Sequence, residues 1–404
     1  MIHDATTGIP TILFGAFDRH NFGDLLFPHI VADLLARKDL LFAGLAARDL
    51  RSDGGHRVSA LVQLAAHWGD RPANIIHVGG ELLTCDAWEA AVMLLAPDQA
   101  QETVARLAAR EQDRLAWARS KLGSAAMAPY TVPPELFPDA AVFYNAVGGV
   151  DLNQCEAALR AEVLAKLKAA DDVSVRDQQT KALLDASGVR SRLIPDPAVM
   201  VAALFGTRIR QRATQGEIAQ ILGAFPQGYI AVQFSADFGD DETLAEIAVQ
   251  LDRIATSSGL GVAFFRAGAA PWHDDLWCYQ RVATRMHAPS VKICRSLNLW
   301  DICALVACSR VYCGSSLHGR IVAMAFALPR INLHHPARPT QPTKQTAFAA
   351  TWEPAGMPAT VEVHEIAHGI RDALAVDRVQ LRRTARELVV RYRAGFDPIC
   401  ARLG

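Results

Sequence analysis

The stretch SRVYCGSSLHGRIVAMAFALPRINL, residues 309–333, contains a short apolar strand, a Gly-Ser-Ser turn, an apolar helix and a second apolar strand. Strand, helix and strand in this order form a unit in which the two strands run parallel. The helix is apolar on all sides, which indicates burial between a sheet and its neighbours. The stretch therefore predicts a parallel α/β fold, with the Gly-Ser-Ser turn at the carboxyl edge of the sheet.

The same alternation runs through both halves of the chain. Apolar strands followed by loops and helices recur in TILFGAF, ANIIHVGGELLT, AVFYNAVGGV and DDVSVRDQQTKALLDASGV, and again in GYIAVQFSAD, GVAFFRAG and VKICRS. This repetition predicts doubly wound parallel sheets, and 404 residues are too many for one ordinary core. We predict two Rossmann-like domains facing across a cleft, at residues 1–205 and 206–385, with a C-terminal helix at 386–404 crossing back to the first.

Composition excludes several classes of protein. Half of the residues are apolar (51%), 21% are charged and the net charge is -1, so nothing favours nucleic acid as a partner. The N-terminus lacks the basic and apolar regions of a signal peptide, and no apolar run reaches the length of a membrane span. The eight cysteines form no CxxC pair, which predicts buried free thiols. We expect a cytoplasmic protein.

The Gly-Ser-Ser turn has the features of an anion site. A helix N-terminus leaves backbone N–H groups open, and Ser315 and Ser316 can cap it and also donate hydroxyls. Gly319 allows close approach of a ligand or another backbone. His318 is disfavoured as imidazolium at the positive helix end unless an anion binds, which suits proton transfer. Alternatively it only bonds a neighbouring loop, and Arg320 either reaches an anion or is paired elsewhere.

Two further loops of the first half carry polar candidates. Asn21, Gly23 and Asp24 follow the first strand, and Asp24 either accepts a proton from a sugar hydroxyl or caps the helix. This loop lacks GxGxxG, so no dinucleotide site is predicted.

The second loop contains Gly79, Gly80 and Glu81. The glycines either only permit the turn or bring Glu81 to a carbohydrate hydroxyl.

Arg176-Asp177 is interpreted as an anion contact or as an internal ion pair. Metal binding by His334 and His335 is not supported by any carboxylate pattern, so we predict no metal site.

The ordered motifs identify a family resemblance. NFGDLLFPHIVADLL, IIHVGGELL, SVRDQQTKALLDASGV, LIPDPAVM, YIAVQFS and SSLHGRIVAMAFALPRINL, spread over residues 11–335, resemble polysaccharide pyruvyl transferases. The resemblance implies a GT-B-like fold and an enzyme that moves the pyruvyl group of phosphoenolpyruvate onto two hydroxyls of a sugar, with release of phosphate. No nucleotide or redox cofactor is implied. The acceptor is expected in an exopolysaccharide or its lipid-linked precursor, and a lipid-linked acceptor would bring the protein to the inner membrane face.

The resemblance also suggests roles for residues. The first domain is expected to hold the acceptor and the second phosphoenolpyruvate, whose carboxylate and phosphate need cationic side chains. Arg176, Arg266 and Arg320 are the candidates, beside the Ser315–His318 turn, with His318 as the acid or base. Some members have an arginine two positions before the histidine, where this chain has Ser316, so Arg266 or Arg320 is expected to replace it.

Two other functions fit the same fold. A nucleotide-sugar glycosyltransferase would need an acidic residue for the ribose in the second domain, and none follows AVQFS or FFRAG convincingly. A catalytically idle relative that binds sugar is the third hypothesis. The sequence leaves the oligomeric state open.

Overall fold

Two compact α/β units make up the structure, a computed structural model that describes residues 9–37, 39–287, 291–334, 343–354 and 356–403. Unit 1 contains the chain through Arg19, then Asp24–Pro197, and finally the residues from Arg391 onward. Unit 2 contains His20–Gly23 and Ala198–Val390. Each unit therefore includes a short segment from a distant part of the sequence.

Unit 1 is built on an eight-stranded sheet of order β3-β4-β2-β1-β5-β6-β7-β8. Its strands are parallel except for the β3–β4 pair. The strands are β1 (Thr11–Phe14), β2 (Leu40–Gly44), β3 (Arg48–Asp49), β4 (Arg57–Ala60), β5 (Ala73–His77), β6 (Ala140–Val147), β7 (Asp172–Val175) and β8 (Arg192–Leu193). The helices are α1 (Phe22–Leu35), α2 (Leu61–Ala66), α3 (Ala87–Met93), α4 (Pro97–Leu107), α5 (Glu111–Leu122), α6 (Ala157–Ala169) and α7 (Gln178–Ala186).

Unit 2 is built on a six-stranded parallel sheet of order β11-β10-β9-β12-β13-β14. The strands are β9 (Tyr229–Gln233), β10 (Gly261–Phe264), β11 (Val291–Ile293), β12 (Val311–Gly314), β13 (Arg330–Leu333) and β14 (Thr360–Val361). The helices are α8 (Val201–Ala213), α9 (Gly216–Ala224), α10 (Asp241–Ser258), α11 (Leu276–Arg285), α12 (Leu299–Ala307), α13 (Leu317–Ala325), α14 (Lys344–Trp352), α15 (Ile366–Ala375) and α16 (Arg378–Arg402), which ends in unit 1.

Each sheet has one point where the strand order reverses. In unit 1 the chain moves from β1 to β2 on one side and returns to β5 on the other. In unit 2 it moves from β9 to β10 on one side and returns to β12 on the other. Ligands of open α/β sheets bind in the crevice outside the carboxyl ends of the strands at such a point. The loops after β1, β5, β9 and β12 are therefore the places where functional side chains are expected.

The last helix completes the core of unit 1. The hydroxyl of Tyr392 on α16 accepts a hydrogen bond from Nδ2 of Asn145 at 2.9 Å, and Nη1 of Arg192 donates to the carbonyl of Gly395 at 2.6 Å. A β-carbon on Gly395 would stand 2.4 Å from the side chain of Ile194, so this turn of the helix needs glycine. The fully buried Tyr392 shows that the segment belongs to the interior of the unit.

Some local predictions were wrong. No helix starts directly after Gly79-Gly80, since α3 begins at Ala87, and α6 likewise begins at Ala157 rather than after Gly148-Gly149. Asp24 does not cap α1, because that helix already begins at Phe22.

No helix in the described part of the chain combines the length and the apolar character needed to cross a lipid bilayer.

Candidate functional site

The two serines that follow β12 hold the turn into α13. The N–H of Ser315 donates to the carbonyl of Gln233 at 3.1 Å, and its hydroxyl accepts from the N–H of Ser235 at 3.0 Å. Ser316 is the N-cap of α13, and its hydroxyl accepts from the N–H of Gly319 at 3.2 Å. The capping predicted for this Ser-Ser pair is thus provided by Ser316, while Ser315 ties β12 to the loop after β9.

His318 lies in the first turn of α13 and is buried, with 8% of its surface exposed. The ring of Phe22 meets its imidazole edge-on, with centroids 6.5 Å apart. A β-carbon on Gly23 would stand 2.0 Å from the ring, so only glycine fits there. At Gly319 a β-carbon would stand 2.4 Å from the hydroxyl of Tyr312. Gly23 therefore allows tight packing against the histidine, and Gly319 allows it against Tyr312.

The segment His20–Gly23 brings a further predicted residue to this place. The side-chain oxygen of Asn21 accepts from the N–H of Gly23 at 3.1 Å, and its Nδ2 donates to Nε2 of His273 at 3.1 Å. Asn21 also forms an isolated antiparallel bridge with Gly268. Asn21 and Gly23, predicted from the sequence as acceptor contacts, thus share unit 2 with His318.

Asp274, an acid that was not predicted from the sequence, is linked to this turn through Gln233. Oδ1 of Asp274 accepts from Nε2 of Gln233 at 2.7 Å, and Oε1 of Gln233 accepts from the N–H of Ser316 at 2.8 Å. Burial raises the pKa of Asp274 to about 7, against the hydrogen bonds from Ala267 and Gln233 that lower it. The only sequence signal was an aspartate in PWHDDLW, after a strand and at the carboxyl edge.

Arg266, predicted as a cation for the donor substrate, has few polar contacts among the described residues. It follows β10 and is half-buried, and its Nε is buried. Within the described ranges its guanidinium forms no hydrogen bond or ion pair with another residue. A buried donor without a partner is costly, and the role of Arg266 in binding an anion stays a prediction.

Arg320 has a different environment. It is fully buried, its Nε donates to Oε1 of Glu353 at 2.7 Å, and Nη1 donates to the carbonyl of Ala359 at 2.6 Å. Nη2 donates to the carbonyl of Pro358 at 2.8 Å, and Arg330 forms a second ion pair with Glu353 at 2.5 Å. These contacts favour the paired alternative for Arg320, in which it holds the segment before β14 to α13.

Arg176 is similarly enclosed in unit 1. It is 1% exposed and forms ion pairs with Glu81 at 2.6 Å and with Asp196 at 3.0 Å. Asp177 caps α7 by accepting from the N–H of Thr180. Arg176 thus forms internal ion pairs with Glu81 and Asp196, while Asp177 caps the helix, and an anion contact by Arg176 stays a prediction.

The remaining predicted residues collect at the strand-order reversal of unit 1. Gly79 and Gly80 have φ angles of 125° and 99°, a backbone conformation that favours glycine. Gly80 lies against Asp24, because a β-carbon added to this glycine would be 3.2 Å from Oδ1 of the aspartate. The side chain of Asp24 is buried. Its role as a base for a sugar hydroxyl stays a prediction.

Arg19 at the same reversal was not singled out from the sequence. Its guanidinium carbon lies 4.9 Å from the ring centroid of Tyr130, and Nη1 donates to that hydroxyl at 2.6 Å. The hydroxyl in turn donates to Oδ1 of Asp18 at 2.8 Å. The arginine in DRHNFGD could have been noticed as a cation directly after the first strand.

No cluster suited to a metal ion was found among the described residues, counting groups of three or more His, Cys, Asp or Glu. His334 lies 3.4 Å from Glu362, and His335, the other half of the histidine pair, is outside the described residues. All eight cysteines are free thiols, five of them buried.

The family model for polysaccharide pyruvyl transferases matches residues 138–334. Over these residues, just under half of the chain, the match confirms the resemblance that the ordered motifs predicted. No curated protein matches the sequence significantly.

Solved structures show the fold class. A UDP-N-acetylglucosamine 2-epimerase from Rickettsia bellii has a TM-score of 0.55 at 10% identity, covering 98% of this chain and 97% of its own. The UDP-GlcNAc 2-epimerase from Neisseria meningitidis bound to UDP-GlcNAc has a TM-score of 0.52 at 10% identity, covering 94% of this chain and 98% of its own. At these identities the likeness concerns the fold alone, and it confirms the predicted α/β class, GT-B-like with Rossmann-like units.

Proposed function

We propose that the protein transfers the pyruvyl group of phosphoenolpyruvate to two hydroxyls of a sugar in an exopolysaccharide or its lipid-linked precursor. The product is a cyclic pyruvate ketal, and inorganic phosphate is released. The observation that carries this proposal is the buried His318 in the first turn of α13, at the strand-order reversal of a chain related to pyruvyl transferases.

Binding of phosphoenolpyruvate, the donor substrate, requires positively charged side chains, and this supports a role for Arg266. Phosphoenolpyruvate carries a carboxylate and a phosphate, and both are bound best by guanidinium and by N–H groups at a helix N-terminus. Arg266 has no partner among the described residues, whereas Arg320 and Arg176 already donate to carboxylates. We therefore assign the phosphate or carboxylate of the donor to Arg266 and the turn at Ser315–His318, and leave Arg320 and Arg176 to the fold.

The chemistry requires one group that exchanges protons. His318 gives a proton to C3 of phosphoenolpyruvate, which becomes a methyl group, and C2 becomes an oxocarbenium-like centre. The first sugar hydroxyl adds to C2 and returns its proton to His318. The bond between C2 and the bridging oxygen then breaks, phosphate departs, and the second hydroxyl closes the ketal. The proton of that hydroxyl leaves with phosphate, so the balance is phosphoenolpyruvate and a diol in, ketal and hydrogen phosphate out.

Binding of the donor can be tested before the acceptor is known. Calorimetry should show phosphoenolpyruvate binding to the wild type, and Arg266→Met should lose it, because this guanidinium has no partner among the described residues and is free to bind the anion. Arg253→Met is the matched control, an exposed arginine on α10 of the same unit. Binding of UDP-GlcNAc in place of phosphoenolpyruvate would overturn the proposal in favour of a nucleotide-sugar enzyme.

Turnover is tested with sugar acceptors by proton NMR, in which the ketal methyl group gives a new singlet. His318→Gln should lower turnover by about 100-fold or more, the usual contribution of a general acid or base. His368→Gln, at an exposed histidine of the same unit, should leave it unchanged. Near-normal turnover of His318→Gln would remove the histidine from the mechanism.

A further inference from the structure

Trp272 has an unusual backbone conformation. Its φ angle is 63°, in the left-handed region that bulky side chains rarely adopt. The residue is 47% exposed. In the described part of the chain this indole forms no hydrogen bond and meets no other aromatic ring. An apolar side chain held outward on strained backbone calls for an explanation from function.

Hydrogen bonds on both sides of Trp272 maintain the strain. The N–H of His273 donates to the carbonyl of Ala270 at 3.2 Å. The carbonyl of His273 accepts from the N–H of Ala236 at 2.9 Å. Oδ2 of Asp274 accepts from the N–H of Ala267 at 2.5 Å. The loop between β10 and α11 is thus closed on itself and tied to the loop after β9, so Trp272 cannot relax without breaking these bonds.

The same loop connects directly to the candidate site. His273 binds Asn21, in the segment that packs Gly23 on His318. Asp274 binds Gln233, which in turn binds the N-cap of α13. Trp272 therefore immediately precedes His273 and Asp274, the two residues that support the site of unit 2 at the carboxyl edge of its sheet.

We propose that Trp272 is a platform on which a pyranose ring of the acceptor stacks, an inference that rests on the proposed function. One face of a pyranose presents C–H groups that are apolar and slightly positive, and the face of an indole is apolar and negative. The left-handed backbone keeps this indole at the surface. Trp277, which is 62% exposed on the regular backbone of α11, has no comparable constraint and serves as the control.

Saturation-transfer NMR tests the platform with methyl β-D-galactopyranoside and methyl β-D-glucopyranoside, and with mannitol as a polyol that has no ring face. The wild type should transfer saturation to the ring C–H protons of a glycoside and not to mannitol. Trp272→Ala and Trp272→Gly should both lose at least 80% of this transfer (an effect of about fivefold), while Trp272→Tyr and Trp277→Phe keep most of it. Equal transfer to mannitol, or unchanged transfer in Trp272→Ala, would overturn the proposal.

The Ala and Gly variants also test the strain. Both lose the indole, but glycine adopts a φ of 63° at no steric cost, so Trp272→Gly should melt at a higher temperature than Trp272→Ala. The opposite order would contradict a strained platform. Phosphoenolpyruvate binding, measured on the same variants, separates the two proposals. Glycoside binding through Trp272 without any phosphoenolpyruvate binding would keep the platform and overturn the pyruvyl transfer.

Discussion

The backbone of Gly23 lies against the imidazole of His318, so closely that a β-carbon would stand 2.0 Å from both Cγ and Nδ1 of the ring. The two residues are 295 positions apart in the sequence, yet they form one packed contact within unit 2. The orientation of the proposed acid and base is therefore set partly by a glycine that follows the first strand of the chain.

Gly23→Ala is expected to displace the imidazole of His318 and to lower turnover on the order of 100-fold, since misplacing a catalytic group by about 1 Å has effects of this size. The measurement is the rate of ketal formation from phosphoenolpyruvate. Gly223→Ala on α9 is the matched control, because a β-carbon there would meet nothing within 4 Å. Unchanged turnover of Gly23→Ala would mean that the ring position does not matter.

Asp274→Asn is expected to flatten the dependence of stability on pH. The pKa of Asp274 in the folded protein is about 7, above its ordinary 3.8, so the folded state holds the proton more tightly. Its contribution to stability is complete below about pH 4 and is lost as the pH rises through 7. Between pH 5 and 7 the free energy of unfolding of the wild type, relative to the variant, should fall by roughly 1.4 kcal/mol per pH unit.

The check is urea unfolding of both proteins at several pH values. Parallel curves for wild type and Asp274→Asn would show that the carboxyl titrates at its ordinary pKa. A steeper loss on the acid side would reverse the predicted sign.

Glu353→Gln is expected to destabilise unit 2 by about 3–5 kcal/mol, the usual effect of removing one partner from a buried ion pair. Glu353 is 4% exposed and binds the guanidinium groups of both Arg320 and Arg330, which would then repel each other. Urea unfolding measures the loss. The control is Glu387→Gln, which breaks the exposed Arg383–Glu387 pair and should leave the free energy of unfolding almost unchanged.

Thiol labelling of the native protein should be slow at most cysteines. Five of the eight are buried, and burial raises the pKa of thiols such as Cys303 and Cys313, which lowers the fraction of reactive thiolate. At most Cys155, Cys308 and Cys400 should react quickly with an aromatic disulfide reagent. All eight should react after denaturation without reductant, and a smaller total would reveal a disulfide.

Much of the fold could be predicted because parallel strands are buried on both faces and form short apolar runs. Elements without such an apolar run were not predicted correctly from the sequence. The strand β3 has two exposed residues, Arg48 and Asp49, and exists only through its pairing with β4. The glycines after β5 and β6 indicate turns, but the sequence alone did not show that several residues would follow before the next helix.

The site was predictable where its residues are close together in sequence. Ser316 and His318 share one turn, so the cap and the histidine in the first helical turn could be inferred from it. The role of Arg320 depends on Glu353, 33 residues away in an irregular segment, and that of Asp274 depends on Gln233, 41 residues away. Such pairings are set by tertiary packing, and no local sequence pattern predicts them.

The inclusion of Tyr392 and its neighbours in unit 1 has a consequence for how the protein is made. Residues 24–197 emerge from the ribosome long before the segment whose Tyr392, Phe396 and Ile399 are buried in the finished unit. At ordinary rates of translation the growing chain waits on the order of 10–40 s for that segment. During this interval the apolar surface around Asn145 and Ile194 is uncovered. Nascent unit 1 therefore exposes this apolar surface until residues 391–403 have been made, and termination before residue 391 leaves the unit without the side chains that complete its core.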